Sequence, residues 1–219
     1  MVARQIHLVR HGEVHNPDRV LYGRLPAFGL SERGRLMAEA AATDLLSRDR
    51  TYASLYCSPL QRTQESAAPV SKLLGLRAVI EDRIIEPTNA FEGKRMRGAD
   101  SALTDVRNWK YLVNPWRPSW GEPYRSITAR MFAAMTDAAL AVKEGDVVMV
   151  SHQLPIVMVQ RRVARRLPPH DPRRRRCALS SITTLEFVDP AHPERGFVEV
   201  GYTDPAGPVA QGAIDVGAV

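Results

Sequence analysis

The chain has 219 residues, 44% of them hydrophobic and 25% charged, with a formal net charge of +6 and a pI near 9.7, which suits one folded domain with a proper core. The positive balance is local: eight arginines and one acid, Asp171, lie between Arg161 and Arg176, leaving 22 basic and 23 acidic residues elsewhere, so it argues against a nucleic-acid-coating surface. Only two cysteines occur, Cys57 and Cys177, with no CxxC pairing, which excludes a disulfide framework or structural zinc site and reads as reduced cytoplasmic thiols.

The first element is Gln5 to Val9, a short aliphatic run that stops at Arg10-His11-Gly12 and reads as a buried strand opening into a loop. Arg4, His7 and Arg10 interrupt any apolar stretch that a signal peptide would need. Ser31 to Leu46 has helical spacing, with Ser31 as N-cap and Leu36, Ala40 and Leu45 on one apolar face. Ala53 to Cys57 and Arg77 to Ile80 read as strands around a helix from Leu60 to Leu74. Glu86 to Asp100 and Asn114 to Glu122 are loop-like insertions rich in Pro, Gly and Trp, suited to pocket walls.

Tyr124 to Val142 and Pro155 to Arg166 read as helices, with a strand at Asp146 to Ser151 between them and another at Ile182 to Val188. The longest uncharged apolar run, Val147 to Gln160, is too short to span a bilayer, and no membrane partner is expected. Gly, Ala and Pro dominate from Asp204 onward. The expected organisation is one α/β domain over residues 1–203 and a poorly ordered tail over 204–219.

Alternating strands and helices predict a three-layer α/β sandwich, with a mostly parallel central sheet flanked by helices. Ligands of such sheets bind beyond the C-terminal strand ends. That rule selects Arg10-His11-Gly12, Ser58-Pro59-Leu60-Gln61-Arg62 and Ser151-His152-Gln153. Paired arginines and histidines suit a phosphate monoester, because guanidinium forks match phosphate oxygens and a neutral imidazole can attack phosphorus. Gly12 is expected to leave room for the substrate.

Leu8-Val9-Arg10-His11-Gly12-Glu13-Val14-His15-Asn16 resembles the arginine-histidine-glycine signature of the histidine phosphatase superfamily, which includes the cofactor-dependent phosphoglycerate mutases. Gly23 with Leu30-Ser31-Glu32-Arg33-Gly34, then Ser58 to Thr63, then Ser151-His152, resemble its later motifs in order. The resemblance implies His11 as nucleophile and Arg10, Arg62, Asn16 and His152 as phosphate ligands. It implies Glu86 as general acid, preceding Phe91-Glu92-Gly93 by about one residue less than usual, with Glu92 and Glu13 as alternatives. Val14 and Gln153 replace the family's common threonine and glycine.

His7, His11 and His15 recur every fourth residue, yet a strand broken at Gly12 denies them a shared helical face, so no metal and no cofactor is expected. The expected partner is a small phosphorylated substrate, with the oligomeric state open and a homodimer one option. Phosphomonoester hydrolysis is favoured over mutase-type transfer, because no longer basic insertion is seen. A non-catalytic phosphate binder, or a nucleic-acid binder using Arg173 to Arg176, is the remaining alternative. The arginine segment 161–176 is expected to be a solvated loop starting on the rim opposite the site, since a helix from Pro155 carries the chain away. Trp109, Trp116, Trp120 and Phe91 are candidates for an apolar substrate wall.

Overall fold

The computed structural model describes residues 3–96, 98, 101–102, 104–111, 120–188 and 196–215. Six strands form one sheet in the order β3-β2-β4-β1-β5-β6. They are β1 (Gln5–Arg10), β2 (Tyr52–Cys57), β3 (Ala78–Ile80), β4 (Asp146–Ser151), β5 (Ile182–Phe187) and β6 (Phe197–Thr203). β3, β2, β4 and β1 run parallel to one another, and β5 and β6 close the sheet beside β1 through antiparallel pairs. The helices are α1 (Glu32–Leu46), α2 (Gln61–Leu74), α3 (Tyr124–Ala141) and α4 (Gln153–Val163).

The three layers follow from side-chain alternation on the central strands. On β4, Val147 and Met149 join the core under α3 and α4, whereas Val148 and Val150 join the core under α1 and α2. Every residue of β4 is buried, as a strand covered by helices on both faces requires. The mostly parallel α/β sandwich is therefore the fold observed.

The structure corrects several local expectations. On α1 the buried stripe is Gly34, Met37, Ala38, Ala41, Ala42 and Leu45, and Leu36 is 54% exposed. Leu36 lies one step round the helix from Met37, and small alanines let α1 pack closely enough that Met37 fills the contact. Ser31 does cap α1, accepting from Gly34 N at 3.0 Å. Helix α4 starts at Gln153, two residues before the expected Pro155, which sits in the first turn where its missing N–H is harmless. Strand β6 is an addition, since Glu199 and Gly201 interrupt its apolar pattern.

The expected loose tail differs most. Through Asp215 it folds back over α1: Ala206 is fully buried against Met37 and Leu179, with Val209, Ala210 and Ala213 packed alongside. Small apolar residues that carry no periodicity suffice to fill a shallow groove. Residues 216–219 of that expectation lie outside the described residues.

Candidate active site

Three loops meet at the C-terminal ends of β1, β4 and β2, which are adjacent in the sheet. His11 N donates to Ser151 O at 3.1 Å and Ser58 N to Val150 O at 3.0 Å, so backbone bonds lock the loops together. His11 is 2% exposed and lies with its ring centroid 5.3 Å from that of His152.

Protonation is set by neighbours. His11 Nδ1 donates to the Gly12 carbonyl at 2.8 Å, which leaves Nε2 as the bare lone pair. Burial first, then the positive charges of Arg62 and Arg10, hold His11 well below the ordinary histidine range, so it is neutral at pH 7. His152 is held well below it too, by burial and then Arg62. Its Nε2 lies 2.8 Å from Ser58 Oγ; with that hydroxyl donating, the ring proton sits on Nδ1.

Both arginines are buried, Arg10 fully and Arg62 at 1% exposure. Arg62, in the first turn of α2, donates from Nη2 to Gly23 O at 2.8 Å and stacks over Tyr22 at 4.7 Å. Arg10 Nε, Arg62 Nε and His152 Nδ1 are buried donors without a hydrogen-bond partner. Buried polar atoms are rarely left so, and these three belong to side chains clustered around His11. The set can receive a compact anion beside the bare Nε2 of a neutral imidazole.

Glu86 is also brought to this cluster, its Oε2 3.6 Å from His152 Nδ1. Burial raises its pKa, against the lowering influence of Arg62, Arg175 and Arg10. The two alternative carboxylates are engaged elsewhere. Glu92 Oε1 accepts from Arg24 N at 3.1 Å and Asn89 N at 3.2 Å, holding the loop. Glu13 accepts from Ser31 Oγ at 2.6 Å and Ile214 N at 2.7 Å. Asn16 makes no hydrogen bond to the cluster: its Nδ2 donates to Val20 O and its Oδ1 accepts from Val20 N, closing a turn.

The role of Gly12 is a correction. A Cβ there would lie 2.3 Å from the backbone oxygen of Gly34, and one on Gly34 would lie 2.0 Å from Glu13 O. The two glycines let the His11 loop cross the first turn of α1, so the close approach is to backbone. The arginine segment is a second correction. It leaves the site along α4 but returns, because β5 is antiparallel to β1 and starts where Ile182 pairs with Val9. Arg175 Nη1 donates to Gln153 Oε1 at 2.9 Å, and the Cys177 carbonyl accepts from Arg10 Nη1 at 2.7 Å.

Among the described residues the aromatic wall keeps one member. Phe91 is core, packed with Leu21 and Ala102, and Trp109 is 58% exposed. Trp120 lines a cleft beside Glu86 with Tyr124 and Leu154, and Trp116 lies outside the described residues. Sequence reasoning assigned no role to Tyr22, Ser66, Asp215 or the Ser58 hydroxyl. Ser66 Oγ accepts from Gly12 N at 3.1 Å; its helical spacing of four from Arg62 was the available signal.

Comparison with known proteins shows the family and the fold. The uncharacterized protein Rv0525 of Mycobacterium tuberculosis is 45% identical over 202 residues, 92% of this chain and 96% of that one. The probable phosphoglycerate mutase GpmB of Yersinia enterocolitica is 30% identical over 89% of this chain and 90% of its own. Phosphoserine phosphatase 1 of Hydrogenobacter thermophilus is 31% identical over 68% and 71%. The structure of phosphoserine phosphatase from Entamoeba histolytica superposes with a TM-score of 0.72 at 18% identity, covering 92% of this chain and 98% of that one, a likeness of fold. No described helix is long and apolar enough to cross a membrane. The family model for the histidine phosphatase superfamily, branch 1, matches residues 6–194, and the chain belongs to that superfamily.

Proposed function

We propose that the chain hydrolyses small phosphomonoesters through a phosphohistidine on His11, without a metal ion. The observation that carries this reading is that three buried donors without hydrogen-bond partners, Arg10 Nε, Arg62 Nε and His152 Nδ1, belong to the side chains around a histidine whose Nδ1 is held by Gly12 O. Membership of a superfamily that contains phosphatases supports it.

In the first step His11 Nε2 attacks phosphorus, the bond from phosphorus to the ester oxygen breaks, and Glu86 delivers its proton to the departing oxygen. The arginines and His152 hold the equatorial oxygens as negative charge shifts among them. In the second step the Glu86 carboxylate takes a proton from water, the oxygen attacks phosphorus, and the bond to Nε2 breaks to release phosphate. Glu86 is the acid of choice over Glu92 and Glu13, whose carboxylates are held by backbone N–H groups. Asn16, with its amide closing a turn, serves the loop first and the phosphate at most through its second Nδ2 hydrogen.

The test is hydrolysis of p-nitrophenyl phosphate with and without EDTA, beside His11→Ala, with a search for an acid-labile phosphoenzyme during turnover. EDTA-insensitive turnover and an adduct, both lost in the variant, are expected. Absence of both, together with interconversion of phosphoglycerates, would replace hydrolysis by mutase-type transfer.

A further inference from the structure

We infer that Asp215, on the C-terminal tail, is a positioning residue for Arg10, holding one edge of the guanidinium so that the other is presented to the phosphoryl group. The inference rests on the phosphatase reading above. A guanidinium has five N–H donors in one plane. Asp215 takes two of them end-on, Oδ2 from Nη1 at 2.8 Å and Oδ1 from Nη2 at 2.5 Å. The Cys177 carbonyl takes the other Nη1 hydrogen at 2.7 Å. What is left is the Nε hydrogen, which is buried and unpartnered, and the second hydrogen of Nη2. Those two form the side fork of the guanidinium, the spacing that grips two oxygens of one phosphate.

The tail therefore uses the edge that phosphate does not need. A carboxylate standing in for substrate would be expected on the side fork or on Arg62; Asp215 instead bonds Arg10 end-on, through Nη1 and Nη2. Its delivery is also built. Ala206 is fully buried against α1, and Ile214 N, one residue before Asp215, donates to Glu13 Oε1 at 2.7 Å. Glu13 in turn receives the Ser31 hydroxyl that caps α1. Arg10 is fully buried, whereas the Asp215 side chain is partly open to solvent, so the carboxylate reaches the guanidinium from the surface side.

The experiment uses full-length protein, Asp215→Ala, Arg10→Lys and the double variant. Two readouts are taken: kcat/KM on p-nitrophenyl phosphate, and binding of inorganic phosphate by calorimetry. Loss of the end-on grip is expected to weaken both by roughly tenfold, and to do nothing further in the Arg10→Lys background, where no fork exists. Unchanged constants, a gain in either, or an equal loss in the Arg10→Lys background would overturn the role; a gain would make the tail an inhibitor. Wild-type protein without turnover removes the phosphatase reading, yet phosphate binding still judges Asp215. If wild-type protein binds no phosphate, both fall.

Discussion

Glu86 Oε2 lies 3.6 Å from His152 Nδ1, in a pocket where both groups are buried and their titrations are shifted in opposite directions. Burial lifts the carboxyl and depresses the imidazole, so the pair favours a protonated acid beside a neutral ring. That is the state in which a proton can be passed to a leaving oxygen while the ring holds phosphate.

The pH profile follows. The proposed first step needs Glu86 protonated, so kcat/KM should fall as pH rises through its raised pKa. His11 stays neutral to well below 6.5, so no acid limb should appear near pH 6.5. Glu86→Gln should remove the basic limb and cost roughly 10²-fold to 10⁴-fold on an alkyl phosphate. The loss should be smaller in the first step with p-nitrophenyl phosphate, whose leaving group needs little protonation. A variant that keeps the wild-type profile would move the acid role away from Glu86.

Arg62→Lys tests the fork. The Arg62 side chain donates to Gly23 O, stacks on Tyr22 and keeps Nε for the site. A lysine keeps the charge and loses the simultaneous reach. Steady-state kinetics should show kcat/KM down by about 100-fold with the protein still folded, and charge alone would be enough if the variant stayed within a few-fold of wild type.

The strands before His11, Ser58 and His152 were legible because buried parallel strands read as short apolar runs ending at polar loops. Their residues fell at the site because strand ends converge there. Asp215 was not legible: no local pattern reports that a residue far along the chain will meet Arg10, since the contact depends on α1 offering a groove to small tail residues. Nor was the return of Arg175, which depends on β5 running antiparallel to β1, a choice the composition of Ile182 to Val188 does not reveal.

Gly12→Ala should act on folding before chemistry. The added methyl would stand 2.3 Å from the Gly34 oxygen, and both partners are backbone, so relief requires moving β1's loop or α1. A loss of about 3 kcal/mol is expected in urea unfolding. The variant should also lose activity, because the Gly12 carbonyl orients His11. Near-native stability would mean the crossing is looser than its geometry indicates.

Asp146 supplies the contrasting case, a buried charge away from the chemistry. It begins β4, while His152 follows the strand's other end, six residues or about 20 Å along. Its carboxylate accepts from Gln5 N at 3.1 Å, His7 Nε2 at 3.2 Å, Arg50 Nη2 at 2.9 Å and also Arg50 Nε. Burial by itself would raise its pKa, but the bonds from His7 and Arg50 prevail and bring it down to about 2. Because the folded value lies below the unfolded value of 3.8, the group stabilises the fold above pH 3.8 and that contribution fades as pH falls toward 2. The shift corresponds to about 2 kcal/mol at neutral pH. Asp146→Asn should therefore lower stability by about that amount at pH 7 and by much less near pH 2.5. Its kcat and KM should match wild type at a temperature where both are folded, which separates this ion pair from the arginines and histidines at the far end of the same sheet. A large loss of kcat would show instead that β4 transmits strain along its length to His152.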